Sequence, residues 1–116
     1  MRAGGISVHA VDVAEGRPAA GLRVVIEALD PGGRRLVAAG RIGPDGHLDH
    51  PVVRGEGVAA GTYEVTFDIG DYVAARGGSG RFLDRVPFRF TIEAVQEHVH
   101  LPLKFTRFGY ALFRGA

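Results

Sequence analysis

The segment TYEVTFDI, residues 62–69, alternates Tyr63, Val65, Phe67 and Ile69 with Thr62, Glu64, Thr66 and Asp68. A strict period of two belongs to a strand, because successive side chains of extended backbone project to opposite faces. One face reads as core and the other as wet. The same rhythm continues outward from this segment. ISVHAVDV (6–13) places Ile6, Val8 and Ala10 on one face and Ser7, His9 and Val11 on the other. LRVVIEAL (22–29) and RRLVAAGRI (34–42) are further apolar runs, separated by DPGG (30–33), where Pro31 and Gly32 suit a tight turn. AEGRPAAG (14–21) reads as a loop. GPDG (43–46) reads as a second turn leading to HLDHPVV (47–53), a short fourth strand that Pro51 confines to an edge or ends early.

Beyond residue 69 the period breaks. In GDYVAARGG (70–78), Asp71 reads as the cap of a short helix on which Tyr72, Val73 and Ala75 pack down, with Gly77 ending it. VPFRFTIEA (86–94), HVHLPLKF (98–105) and GYALFRGA (109–116) bring the expected strands to eight. Eight short strands with glycine-rich connections predict an all-β, two-sheet sandwich with one short helix, as a single domain over residues 1–116.

The last segment alternates Tyr110, Leu112 and Arg114 with Ala111, Phe113 and Gly115 and has no polar residues after it to fray in solvent. Of the two explanations, a disordered tail or one tied into structure through Arg114 and the Ala116 carboxylate, the rest of the chain has to choose.

Composition narrows the function classes. Fourteen basic and 13 acidic side chains give a formal net charge of +1, without the basic footprint of a nucleic-acid or anionic-membrane binder. No cysteine is present, so there is neither a disulfide framework nor thiolate chemistry. No apolar run reaches the length of a membrane span, and the start lacks the pattern of a secretory signal; the expectation is a cytoplasmic protein. Nucleophile elbows and phosphate-cradling loops are also missing.

Histidine is the remaining chemical resource, at His9, His47, His50, His98 and His100. His98 and His100 share one strand face, with Val99, Leu101 and Leu103 on the other. That spacing can present two imidazoles to a metal, yet without cysteine or a placed carboxylate the reading adopted is solvent-facing histidines and no metal or cofactor. His9 reads either as a hydrogen-bonded structural residue or as a general base. The GPDG turn delivers His47.

Four segments, HAVDVAEGRPAAGLRV (9–24), AAGTYEVTFDIGDY (59–72), FLDRVPFRFTI (82–92) and HVHLPLKFTRFGYALFRGA (98–116), together resemble the 5-hydroxyisourate hydrolases of the transthyretin-related family, in the same order and spacing. The resemblance implies a transthyretin-like sandwich assembled as a homotetramer, a dimer of dimers, with active sites in a channel between dimers. It implies a small heterocyclic substrate, 5-hydroxyisourate, whose six-membered ring is opened by water at an amide-type C–N bond in purine catabolism. His9 matches the family's first catalytic histidine, and His100 matches that of its His-x-Pro-Leu stretch. Phe113, Arg114, Gly115 and Ala116 match the tetrapeptide Tyr-Arg-Gly-Ser that lines the channel, which makes the tail part of a substrate-binding site. His98 has no assigned family role.

Three positions depart from the family. His47 stands where the family has a catalytic arginine, and an imidazole has neither the permanent charge nor the reach of a guanidinium. Phe113 and Ala116 lack the hydroxyls of the family's tyrosine and serine. Beside the hydrolase stand two alternatives: an enzyme of the same channel retuned to another cyclic amide or heterocycle, and a non-catalytic ligand carrier like transthyretin.

Overall fold

The computed structural model describes residues 3–116. Eight strands form two four-stranded sheets: β1 Ile6–Asp12, β2 Arg17–Pro18, β3 Arg23–Asp30, β4 Gly33–Arg41, β5 Gly61–Asp68, β6 Arg85–Ile92, β7 Val99–Thr106 and β8 Gly109–Leu112. One sheet has the order β2-β1-β7-β8 and the other β4-β3-β5-β6. Every strand pairing is antiparallel except that of β1 with β7, which run parallel.

The alternation in the sequence sets the two inner faces. Ile6, Val8 and Ala10 of β1 and Leu101 and Leu103 of β7 are fully buried, as are Val24 and Ile26 of β3 and Val65 and Phe67 of β5. Each such valine, leucine, isoleucine or phenylalanine side chain stabilises the fold by about 1.5–3 kcal/mol through removal from water. Tyr63 is buried too, and its hydroxyl donates to the Ala59 carbonyl at 2.7 Å while accepting from the Ala59 amide at 2.8 Å. The outer face of the second sheet carries an ion network in which Arg34 meets Glu27 and Glu64, and Arg89 meets Glu64. Arg34 and Arg89 are solvent-exposed, so these pairs contribute little to stability.

A short helix, α1 (Ile69–Ala75), follows β5 directly. Its cap is Asp68 rather than the expected Asp71: the Asp68 carboxylate accepts from the Asp71 amide at 3.1 Å. Asp68 closes the alternation of β5 and so presents itself in sequence as strand alone, although one side chain serves both elements. Tyr72 of α1 reaches β1, donating its hydroxyl to the buried Asp12 carboxylate at 2.9 Å. Burial, reinforced by that carboxylate, pushes the Tyr72 phenol up to about 12.

The expected strand over 47–53 is absent. His47 makes one isolated bridge to His9, and Pro51–Arg54 form a 3-10 turn. His50 caps that turn, its Nδ1 accepting from the Val52 amide at 3.0 Å, and Pro51 takes the first position, where a missing N–H costs nothing. The eighth strand lies instead in the expected loop, where Arg17–Pro18 pair with Val11 and Asp12. The terminal strand stops at Leu112, earlier than the alternation implies.

Candidate active site

β1 carries Ser7 and His9 on the face turned from the core, both partly buried. The parallel register sets Ser7 opposite His100 and His9 opposite Pro102, which brings the two distant histidines onto one patch of sheet. The turn over residues 43–46 then folds onto the same strand. The Ala10 amide donates to the Gly46 carbonyl at 2.9 Å, and the His47 amide donates to the Asp45 carboxylate at 3.0 Å. These bonds hold His47 over His9, with ring centroids 4.5 Å apart and planes inclined by 48°. His47 also faces His100 at 6.4 Å.

Gly46 is required for this approach. Its φ of +88° lies in the left-handed region, and a Cβ there would stand 2.6 Å from His9 Nε2. A glycine next to the imidazole serves the turn and the ring at once.

The tail closes the other side. The Gly115 amide donates to the His100 carbonyl at 2.7 Å, and a Cβ on Gly115 would lie 3.2 Å from His100 Cδ2. Arg114 is tied into structure, donating to the Glu97 carboxylate at 3.2 Å and the His98 carbonyl at 3.3 Å. Its guanidinium is therefore held at the margin of the cluster. Phe113, 47% exposed, and Ala116 face solvent.

Electrostatics favour neutral rings. Burial and then the neighbouring His47 lower the His9 pKa, against the opposing pull of Asp45. His100 is lowered by burial, then by His47, His9 and His98. A neutral imidazole near pH 7 offers one lone pair and one N–H, the equipment for taking a proton from water and for giving one back.

Of the residues singled out in sequence, the fold brings His9, His47, His100 and Gly115 together, with Arg114 alongside, and sends His50 to cap a 3-10 turn. Among the described residues no group of three or more His, Cys, Asp or Glu could hold a metal ion. A cavity of about 290 Å³ lined by Asp12, Tyr72, Arg76, Phe105 and Arg107 has none of the histidines in its lining. Sequence reading overlooked Ser7. Its Oγ lies 2.7 Å from His100 Nδ1 and 2.8 Å from His98 Nε2. The available signal was its place two residues before His9 on the same strand face.

The sequence matches the HIUase/Transthyretin family over residues 6–115. It is 37% identical over 118 residues to "5-hydroxyisourate hydrolase 2" of Rhizobium meliloti, covering 99% of this chain and 98% of that one. Among solved structures, that of Klebsiella pneumoniae 5-hydroxyisourate hydrolase superposes with a TM-score of 0.81 at 25% identity, covering 100% of this chain and 96% of the other. (S)-allantoin synthase superposes with a TM-score of 0.88 at 32% identity over 99% of this chain, which spans only 44% of that longer protein. With a family match across nearly every residue and relatives of this identity and coverage, the chain belongs to the HIUase/Transthyretin family.

Proposed function

We propose that this protein is a hydrolase that opens the ring of 5-hydroxyisourate in purine catabolism. The observation that carries the reading is the convergence of His9, His47 and His100, with ring centroids 4.5 and 6.4 Å apart, beside the backbone of Gly115. Hydrolysis of a cyclic amide needs a base for water, donors for the oxygen that becomes anionic, and a proton for the leaving nitrogen. His9 is the base toward water, and His100 completes the relay, receiving that proton and delivering it to the leaving nitrogen. His47 takes the place of the family's arginine as donor to the developing oxyanion. Arg114 fixes the tail, and Phe113, Gly115 and Ala116 border the substrate.

The active assembly is a homotetramer in the cytoplasm, with sites in the channel between dimers. One feature supports the assembly: the edge strands β6 and β8 lack a partner on one side.

Turnover of freshly generated 5-hydroxyisourate, followed by ultraviolet absorbance against the spontaneous reaction, tests the reading. Wild type accelerates the decay and His9→Ala and His100→Ala do not; full activity in either variant overturns the assignment. The same assay weighs a second reading, a channel retuned to another cyclic amide, which rests on the departures at His47, Phe113 and Ala116. An inactive wild type with an active His47→Arg variant selects it.

A further inference from the structure

The hydrogen bonds around Ser7 set the tautomers of the two histidines it touches, His98 and His100. A carbonyl only accepts, so His98 Nδ1, which lies against the Gly4 carbonyl, carries a proton. In neutral His98 the other nitrogen, Nε2, is then an acceptor, and the partner 2.8 Å away is the Ser7 hydroxyl. Ser7 has one proton, and it is used on His98. Toward His100 Nδ1, at 2.7 Å, Ser7 can therefore only accept. That leaves His100 as the Nδ1–H tautomer, with its Nε2 lone pair free on the edge turned from Ser7.

We propose that Ser7 and His98 are positioning residues that fix this tautomer of His100 and connect it to solvent as a proton wire. When His100 Nε2 takes a proton from a reacting group, its Nδ1 proton passes to Ser7 Oγ as the Ser7 proton passes to His98 Nε2. The positive charge then rests on His98, and the reverse sequence returns the proton through His100 Nε2. No atom is gained or lost, and the N–H broken at His100 Nδ1 is matched by the one formed at His98 Nε2.

The geometry explains why such a wire is useful. His100 is part-buried and faces His47 and His9, each an imidazole that opposes a second positive ring, with no carboxylate bonded to it. His98 is exposed, and its other nitrogen already donates to the Gly4 carbonyl. Charge parked on His98 lies in high dielectric, where repulsion is weak.

The inference rests on the hydrolytic reading for its kinetic arm only. Long-range ¹H–¹⁵N correlation spectra of ¹⁵N-labelled protein at neutral pH read the His100 tautomer directly, in wild type, Ser7→Ala, Ser7→Thr and His98→Gln. The expected spectra show Nδ1–H in wild type, Ser7→Thr and His98→Gln, because glutamine can still accept from Ser7, and a shift toward Nε2–H in Ser7→Ala. Turnover falls about 10- to 100-fold in Ser7→Ala with KM within about twofold, since a wrong tautomer disables a correctly placed ring. Ser7→Thr restores it, and His98→Gln, which keeps the tautomer but cannot hold the proton, loses about tenfold. An Nε2–H tautomer in wild type, or unchanged kcat in Ser7→Ala, overturns the proposal. If wild type fails to turn over 5-hydroxyisourate, the function is wrong while the spectra still decide whether Ser7 fixes the His100 tautomer.

Discussion

Replacing Gly46 by alanine separates backbone strain from damage to the site. At φ +88° an L-residue is strained by about 1–2 kcal/mol, so Gly46→Ala loses that much stability wherever the side chain points. The added methyl, moreover, stands 2.6 Å from His9 Nε2, 2.9 Å from His9 Cδ2 and 3.3 Å from Pro18 Cβ. Carbon and nitrogen are comfortable near 3.5 Å. Because Pro18 limits movement of the turn, the His9 ring yields by roughly 1 Å, and a displacement of that size can cost about 10²-fold in rate. Gly16→Ala is the matched control: its φ is +67°, and nothing lies within 4 Å of its Cβ. Urea unfolding monitored by circular dichroism, beside turnover of 5-hydroxyisourate, reads both effects. The expected pattern is similar stability losses in the two variants and a large fall in kcat/KM in Gly46→Ala alone. Equal activity in the two would show that Gly46 does not set the position of His9.

Other outcomes follow from the same geometry. His9 and His100 are held below their ordinary value of 6.5 in the folded state, so the unfolded chain binds more protons as pH falls through that value. Their contribution is neutral above pH 6.5 and destabilising below it, so the urea midpoint should drop between pH 7 and 5, and the drop should be smaller in His9→Gln/His100→Gln. For the same reason kcat/KM should hold to a pH below 6.5 before it declines; a decline centred above 6.5 contradicts neutral-ring catalysis. Tyr72→Phe leaves the buried Asp12 carboxylate with only the Glu15 amide and should cost about 1.5–3 kcal/mol in denaturant unfolding without altering turnover. His47→Arg, which restores a permanent charge beside His9, should change kcat at least tenfold in steady-state turnover and leave the unfolding free energy from urea titration within about 0.5 kcal/mol.

Strand content was legible wherever one face of a strand is dry. In residues 62–67 and 6–12 the alternation directly reports which side chains are removed from water, and burial follows it residue by residue; Asp68, expected on the wet face, is instead buried, where it caps α1. The same logic misleads at residues 47–50, where exposed His47, buried Leu48, exposed Asp49 and half-buried His50 also alternate. There the backbone turns over the sheet edge and a 3-10 turn starts at Pro51, so the pattern reflects one buried leucine and not a strand. Arg17–Pro18 were unreadable for the opposite reason: two residues have no period, and their strand state comes wholly from pairing with Val11 and Asp12. At the site, His9 and His100 were found through family resemblance, and their meeting required the parallel β1–β7 register that no local pattern encodes. Ser7, an ordinary polar position on a half-wet strand, acquires its role only from that register.

The parallel pairing also governs when the site can exist during synthesis. Residues 6–12 have no central partner until residues 99–105 have left the ribosome, some 90 residues later, which is roughly 5–20 s at ordinary rates of chain elongation. The other sheet needs no such wait, since β3, β4, β5 and β6 are all contained in residues 23–92 and pair antiparallel with one another. That sheet can form first and offer its apolar face, with Val24, Ile26, Val65 and Phe67, as the surface on which β1 waits. His9 and His100 then come together through the strand pairing of greatest sequence separation, and high contact order makes pairings of that kind slow to form.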